Sequence, residues 1–262
     1  MTSTFWAHTL RDVVMVEGPD AMTYLQSQVS QDLRSLAVGA STNSLVLQPA
    51  GRVDALVRIL RSGDRAFVLD TDAGAGDALS ARLHRFKIRV AAEITALDWR
   101  CIAVRGPGAG EVVSSGGAVV VPAWWGDGSA VDLLGPAPRP PTGLPEGTVD
   151  DLEAARIEAG WPRHGAEITE ATVPAELGVV AVAVSFTKGC YPGQELVERM
   201  DSRGARAPRH VCRVDVAPGT APGDSIVVDG VEVGVVTSVA GRRALALVKR
   251  DVAIGEAVGP PT

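Results

Sequence analysis

The chemistry of this chain is most concentrated in KGCYPGQE, residues 188 to 195. A structural cysteine normally sits in an apolar run, where its thiol behaves as a small hydrophobe. Cys190 is flanked instead by Gly189, Tyr191, Pro192 and Gly193, residue types that build bends and admit close backbone approach. A thiol on such a bend gains reactivity when a neighbouring cation or the start of a helix raises its thiolate fraction. Lys188 stands two positions ahead, and GQELVERM, residues 193 to 200, reads as a helix opening just behind. Lysine is scarce: Lys87, Lys188 and Lys249 are the only three among 25 Lys plus Arg. An ammonium beside the thiol therefore suits a specific task, the alternative being a surface lysine next to a half-buried thiol in a turn.

The elements that must position this loop are legible in outline. With 262 residues, 46% of them hydrophobic, the chain can bury one large core or two to three small ones. Gly18, Pro19 and Asp20 start a helix that carries Met22, Leu25, Val29, Leu33 and Leu36 at helical spacing. NSLVLQPAGRVDALVRILRSGDRAFVLD, residues 43 to 70, holds three apolar runs broken by two turn signals, the pattern of antiparallel strands. AGAGDALSARLHRFKIRV supplies a helix that ends before another strand, and strand, helix and strand patterns repeat through RCIAVRG, GEVVSS and AVVVPAWW. This half reads as α+β with antiparallel pairing. Five prolines and three glycines in residues 134 to 148 interrupt regular structure, and VDDLEAARIEAG follows as a helix. From about Pro208 short Val-rich strands predict a small β-barrel. The expected division is 1–135, 136–207 with the cysteine loop, and 208–262.

Composition excludes several functions. A net charge of -6 argues against direct nucleic-acid binding or attraction to anionic membranes, both of which need surplus positive charge. Arg199, Arg203, Arg206, Arg209 and His210 form a local basic run that either faces an anion or is simply solvated. Cys101, Cys190 and Cys212 contain no C-x-x-C pair, so neither a disulfide framework nor a zinc ribbon is indicated, and a reducing, cytoplasmic setting is expected. Arg11 and Asp12 interrupt the N-terminus before a signal-peptide run, and no apolar run approaches the ~20 residues that span a bilayer. No phosphate-binding glycine loop is present. No metal is assigned: Cys190, His210 and Cys212 are too few for a stable cluster.

KGCYPGQE resembles the K-G-C-[YF]-x-G-Q-E signature of YgfZ-type proteins, a branch of the superfamily of the glycine-cleavage T-protein, aminomethyltransferase. The match is unbroken from Lys188 through Gln194 to Glu195. ARIEAGWPRHGAEI is similar to the family's R-x-E-x-G followed by G-x-E/D, through Arg156, Glu158, Gly160, Gly165 and Glu167. LQPAGRVDALVRIL resembles the strand, turn and strand in which T-proteins place a catalytic aspartate, here Asp54, and the C-terminal strands resemble the family's terminal barrel.

The resemblance implies a T-protein-like ring of three subdomains around a central channel that holds tetrahydrofolate or a one-carbon-substituted derivative, with the pterin deep and the glutamate tail outward. It implies an accessory role in assembly or repair of iron-sulfur enzymes, including one that modifies tRNA, so that the partners are folate and iron-sulfur client enzymes. On this reading Cys190 is the key thiol with Lys188 beside it, and Glu158 accepts the paired N–H donors of the pterin, with Arg156 and Gln194 among the folate-binding residues. Asp54 approaches the folate nitrogens, and Arg199 and Arg203 meet the folate carboxylates in a two-pronged way. The alternative is a folate-dependent aminomethyl or methyl transferase or demethylase. T-proteins usually show adjacent aspartates where this chain has Asp54 followed by Ala55, a departure that weighs against full aminomethyl transfer.

Overall fold

The protein is described from a computed structural model, for residues 3–114, 116–202 and 207–260. In chain order the elements are β1 (Phe5–Thr9), β2 (Arg11–Glu17), α1 (Ala21–Gln28), β3 (Ser41–Leu47), β4 (Val53–Gly63), β5 (Ala66–Asp72), α2 (Gly76–Arg85), β6 (Glu93–Leu97) and β7 (Arg100–Arg105). There follow β8 (Val119–Pro122), β9 (Ala130–Gly135), α3 (Val149–Ala159), α4 (Val180–Ala183), α5 (Gln194–Ser202), β10 (Arg209–Asp215), β11 (Ser225–Val228), β12 (Val231–Ala240), β13 (Arg243–Lys249) and β14 (Glu256–Ala257).

Three antiparallel sheets result, in the orders β3-β4-β5-β2-β6, β1-β7-β9-β8 and β11-β12-β13-β10-β14. β4 and β5 read as near-continuous apolar runs because the first sheet is covered on both faces. On one side α1 and α2 bury Tyr24, Leu25, Leu79 and Leu83 against Val57, Ile59, Phe67 and Leu69. On the other, Val13, Leu60 and Val68 meet Cys101, Val121 and Leu134 of the second sheet. A further core joins Leu45, Leu47 and Leu56 to Ile157, Trp161 and Leu177, and reaches Val211 and Leu245 of the third sheet. Among the described residues, no helix is long and apolar enough to cross a membrane.

Helix α3 begins where its caps dictate. Thr148 accepts a hydrogen bond from the Asp151 amide while Asp151 accepts from the Thr148 amide, a reciprocal pair that satisfies two orphan N-terminal donors. Gly160 ends the helix at φ 68°, and a Cβ there would stand 2.7 Å from Val258 Cγ1, so only glycine fits on both counts.

The first helix is shorter than its periodicity predicts. It ends at Gln28, and Val29 is already extended, bridging to Val46. Ser30 diverts the chain: its amide donates to the Leu45 carbonyl at 3.0 Å and its hydroxyl to the Ala183 carbonyl at 2.6 Å. Leu33 still reaches the core, but from irregular backbone. GEVVSS forms only a short 3-10 turn, at Ala109–Glu111, and the strand after α2 begins at Glu93, beyond KIRV.

Candidate functional site

Charged residues embedded in the Val- and Leu-rich strands meet between the first two sheets. In the strand register Arg11 stands opposite Asp72, and Arg58 opposite Asp70, so each cross-strand pair brings unlike charges together. Arg11 Nε donates to Asp70 Oδ1 at 2.8 Å and its Nη1 to Asp72 Oδ1 at 2.5 Å. Arg58 grips Asp70 with two N–H groups, both at 2.9 Å, and sends Nη1 to Asp132 Oδ2 at 2.8 Å on the second sheet. Arg105 Nη2 lies 2.9 Å from Asp132 Oδ1. Three guanidiniums and three carboxylates thus alternate as one neutral ladder, which is how buried charge becomes tolerable. Burial by itself would raise the Asp132 pKa, but Arg105, Arg58 and Arg11 outweigh it and hold the carboxyl well below its usual range.

The ladder floors a cavity of about 390 Å³. Leu56, Leu152, Trp124 and Trp161 supply apolar wall, Glu153 and Arg163 reach it from α3 and the following loop, and Leu10 and Val149 line it while remaining strongly exposed. The sequence reading missed this ladder. Its signal was the charge inside each apolar strand, as in VRIL, VLDTD, AVRG and VDLL, and strand pairing was needed to bring those charges together.

The R-x-E-x-G segment is placed differently from the expectation. Glu158 faces away from the cavity and pairs with Arg243 at 3.2 Å and Arg213 at 3.7 Å, on the third sheet. The reason is helical geometry: Glu153 is five positions earlier on α3 and carries the acidic group that lines the cavity. Arg156 borders the cavity too, yet its five N–H donors are all committed. Nε and Nη2 hold Glu153 at 2.9 and 2.8 Å, Nη1 holds the Trp161 carbonyl and Glu167 at 2.6 and 2.9 Å, and Nη2 also reaches Ser238 at 2.6 Å. Arg156 is therefore a clamp between α3, its following loop and β12, and has no donor left for a ligand.

The cysteine loop stands elsewhere. Lys188 is 7% exposed, and its Nζ donates to the carbonyls of Gln26 at 2.7 Å, Gln31 at 3.2 Å and Val29. It caps the end of α1 instead of pointing its charge at the thiol, and burial lowers its pKa to about 8. Anchored this way, the loop presses on the turn before β4: at Gly193, with φ 82°, a Cβ would meet the Gln48 carbonyl oxygen at 2.6 Å. Gln194 opens α5, accepts from the Tyr191 amide at 3.2 Å and donates to Glu198. Asp54 lies just past that turn, accepting from Gln48 at 2.9 Å and pairing with Arg82 at 3.3 Å. None of Cys190, Lys188, Gln194, Asp54 and Arg199 lines the cavity. Arg203 lies outside the described residues.

Cys190 is exposed, whereas Cys101 and Cys212 are buried and burial raises the pKa of both. Ellman's reagent on the folded protein is expected to label Cys190 first and leave the other two until unfolding. Comparable labelling of all three thiols would contradict this arrangement.

The chain matches the GCVT N-terminal domain family over residues 8–118 and the CAF17 C-terminal beta-barrel domain over residues 209–259. Across 95% of its length it superposes, with a TM-score of 0.74 and 19% identity, on 79% of the glycine cleavage system aminomethyltransferase T of Bartonella henselae. Sheets, helices and barrel therefore define an α+β protein of the T-protein fold. A Haemophilus influenzae protein is 31% identical over 78% of this chain and 70% of its own. An iron-sulfur cluster assembly factor IBA57 homolog of Neurospora crassa is 29% identical over 82% of this chain, and the tRNA-modifying protein YgfZ of Edwardsiella ictaluri 27% over 73%. This chain spans 54% and 65% of those two relatives. It belongs to the YgfZ/IBA57 branch of the T-protein superfamily.

Proposed function

We propose that this protein binds tetrahydrofolate, or a one-carbon-substituted derivative, in the cavity between its first two sheets and serves in assembly or repair of iron-sulfur enzymes. The observation that carries the reading is the cavity itself. Its volume of about 390 Å³ is of small-molecule size, with aromatic walls and a few convergent charged groups. Glu153 is the carboxylate for one N–H donor of a pterin: it accepts three hydrogen bonds from Arg156 and Arg163, leaving one of roughly four acceptor sites. The bound folate would supply one-carbon chemistry; the chain's residues bind and orient it.

The iron-sulfur role follows the relatives named for cluster assembly, and an influence on tRNA modification would pass through a client enzyme rather than through nucleic acid, given the net charge of -6. Cys190, exposed on its anchored loop, is the group presented to such a client, and three free cysteines suit a reducing compartment. Aminomethyl transfer gains no support from Asp54, whose carboxylate is occupied by Gln48 and Arg82 outside the cavity.

Anaerobic calorimetry of tetrahydrofolate against wild type, Glu153→Gln and Glu158→Gln tests the reading. Glu153→Gln is expected to weaken binding by about 1.5 to 3 kcal/mol, the worth of a charged hydrogen bond, and Glu158→Gln to leave it unchanged. Absence of binding to wild type would refute the folate reading, and the reverse order of the two variants would refute the placement.

A further inference from the structure

The three sheets present six edge strands, and an edge invites further pairing unless it is very short, bulged, interrupted by proline or covered. Five of the six are protected in these ways. β3 is covered by Val29, which bridges to Val46, and by Ser30, whose amide binds the Leu45 carbonyl. β1 is covered by residues 145 to 147: the Trp6 amide donates to the Pro145 carbonyl at 3.0 Å, and the Gly147 amide donates to the Trp6 carbonyl at 2.7 Å. β8 has four residues and ends in Pro122, β11 has four with a register shift between Ile226 and Val227, and β14 has two.

β6 has none of these protections. Its five residues, an ordinary strand length, pair with β2 in unbroken register from Val13 opposite Leu97 to Glu17 opposite Glu93. It holds no proline, and its outer amides and carbonyls have no backbone partner among the described residues. Thr95 and Ala96 are both exposed although they point to opposite faces, so solvent reaches the edge from both sides. The strand is nonetheless firmly held. Ile94 is 8% exposed in the core, and just ahead of it the Ala91 amide donates to Asp20 Oδ2 at 2.8 Å while the Asp20 amide donates to the Ala91 carbonyl at 3.1 Å. A rigid edge loses little entropy when a strand is added to it.

Charge specifies what fits. Glu93 and Glu17 stand directly opposite each other, both are exposed, and neither is ion-paired among the described residues, even with Arg89 four positions before Glu93. Like charges so placed repel, and a cation on the far side of Glu93 would relieve them. A second copy of this chain cannot bring one by pairing β6 with β6, since the strand contains no Lys or Arg.

We propose that β6 accepts an extended segment of a partner protein as an antiparallel sixth strand of the first sheet, rich in valine and threonine and carrying a lysine or arginine opposite Glu93. Backbone hydrogen bonds to the open edge supply the affinity, and the pair with Glu93 fixes register and direction. β6 is the edge opposite β3, and the cysteine loop rests on the turn that follows β3. Four strand spacings, roughly 19 Å, separate the two edges, so a segment on β6 leaves Cys190 free.

The test is an NMR titration of the full, isotope-labelled chain with acetyl-Ser-Val-Thr-Thr-Val-Lys-Ser-amide, with its twin carrying glutamate in place of lysine, and with the lysine peptide N-methylated at both threonines. Successive amides of a strand point to opposite sides, so double methylation removes one that faces β6. The lysine peptide is expected to shift the amides of Glu93–Leu97, to bind about fivefold more tightly than the glutamate twin, and to lose binding when methylated. In Glu93→Lys, an exposed substitution first checked for retained fold by circular dichroism, the preference should reverse. No shift in β6 with either peptide, or equal affinities in both proteins, overturns the proposal. Binding of the methylated peptide overturns strand addition. A wild-type dimer that protects the β6 amides from exchange makes the occupant a second copy and overturns the proposal as well.

Discussion

Arg58→Met is expected to remove about 3 to 5 kcal/mol of stability, the cost of leaving buried carboxylates without their cation. Arg58 is 5% exposed and is the one residue that binds Asp70 on its own sheet and Asp132 on the second. Methionine restores much of the volume, so the loss would be electrostatic rather than a cavity effect. Against a typical total of roughly 5 to 15 kcal/mol this change is severe. Urea unfolding should show a lower midpoint with little change in slope. Asp132 adds a pH signature. Its folded pKa is depressed, so its contribution is present above the unfolded value of about 3.9 and is lost as pH falls through the folded one. With Arg58 gone the folded value rises, and that contribution should shrink and be lost at higher pH than in wild type. An unfolding free energy within about 1 kcal/mol of wild type would mean that the ladder is a solvated set of weak pairs.

Glu167→Gln is expected to destabilise the protein by about 3 kcal/mol, whereas Glu158→Gln should cost under about 1 kcal/mol. Both residues belong to the same sequence signature, yet their surroundings differ. Glu167 is 3% exposed and takes hydrogen bonds from Arg156 at 2.9 Å, the Arg163 amide at 3.0 Å, and the hydroxyls of Thr237 and Ser238, each at 2.7 Å. Glu158 is half exposed, and its partners Arg213 and Arg243 are also bound to Glu256 and Asp215. Because Glu167 ties the segment after α3 to β12, amide hydrogen exchange in β12 should accelerate in Glu167→Gln and stay unchanged in Glu158→Gln. Equal losses from the two would show that exposure does not decide their contributions.

Several features were readable without coordinates because they depend on neighbours in the chain. The strand, turn and strand of residues 43 to 70, the helix VDDLEAARIEAG, the helix after the cysteine loop and the Val-rich C-terminal strands follow from local periodicity and turn chemistry. The exposure of Cys190 followed from the bend-forming residues around it. The end of α1 was hidden from periodicity because Ser30 and Lys188 act on it from outside the helix: Ser30 turns the backbone onto β3, and Lys188 caps carbonyls some 160 positions earlier in the chain.

By itself, then, the sequence determined several of the elements, that the cysteine loop is open, and to which family the chain belongs, since each rests on residues adjacent in the chain. Only the tertiary structure decided where the charges go. It turned Glu158 outward and Glu153 inward, spent Arg156 on Glu167 and its neighbours, drew Lys188 to the end of α1, and assembled the ladder of Arg11, Arg58 and Arg105 with their acidic partners from five strands of one sheet pair. The physical reason is that a buried charge is tolerated only beside its counterion, and such counterions are brought together by strand register and packing across long stretches of chain.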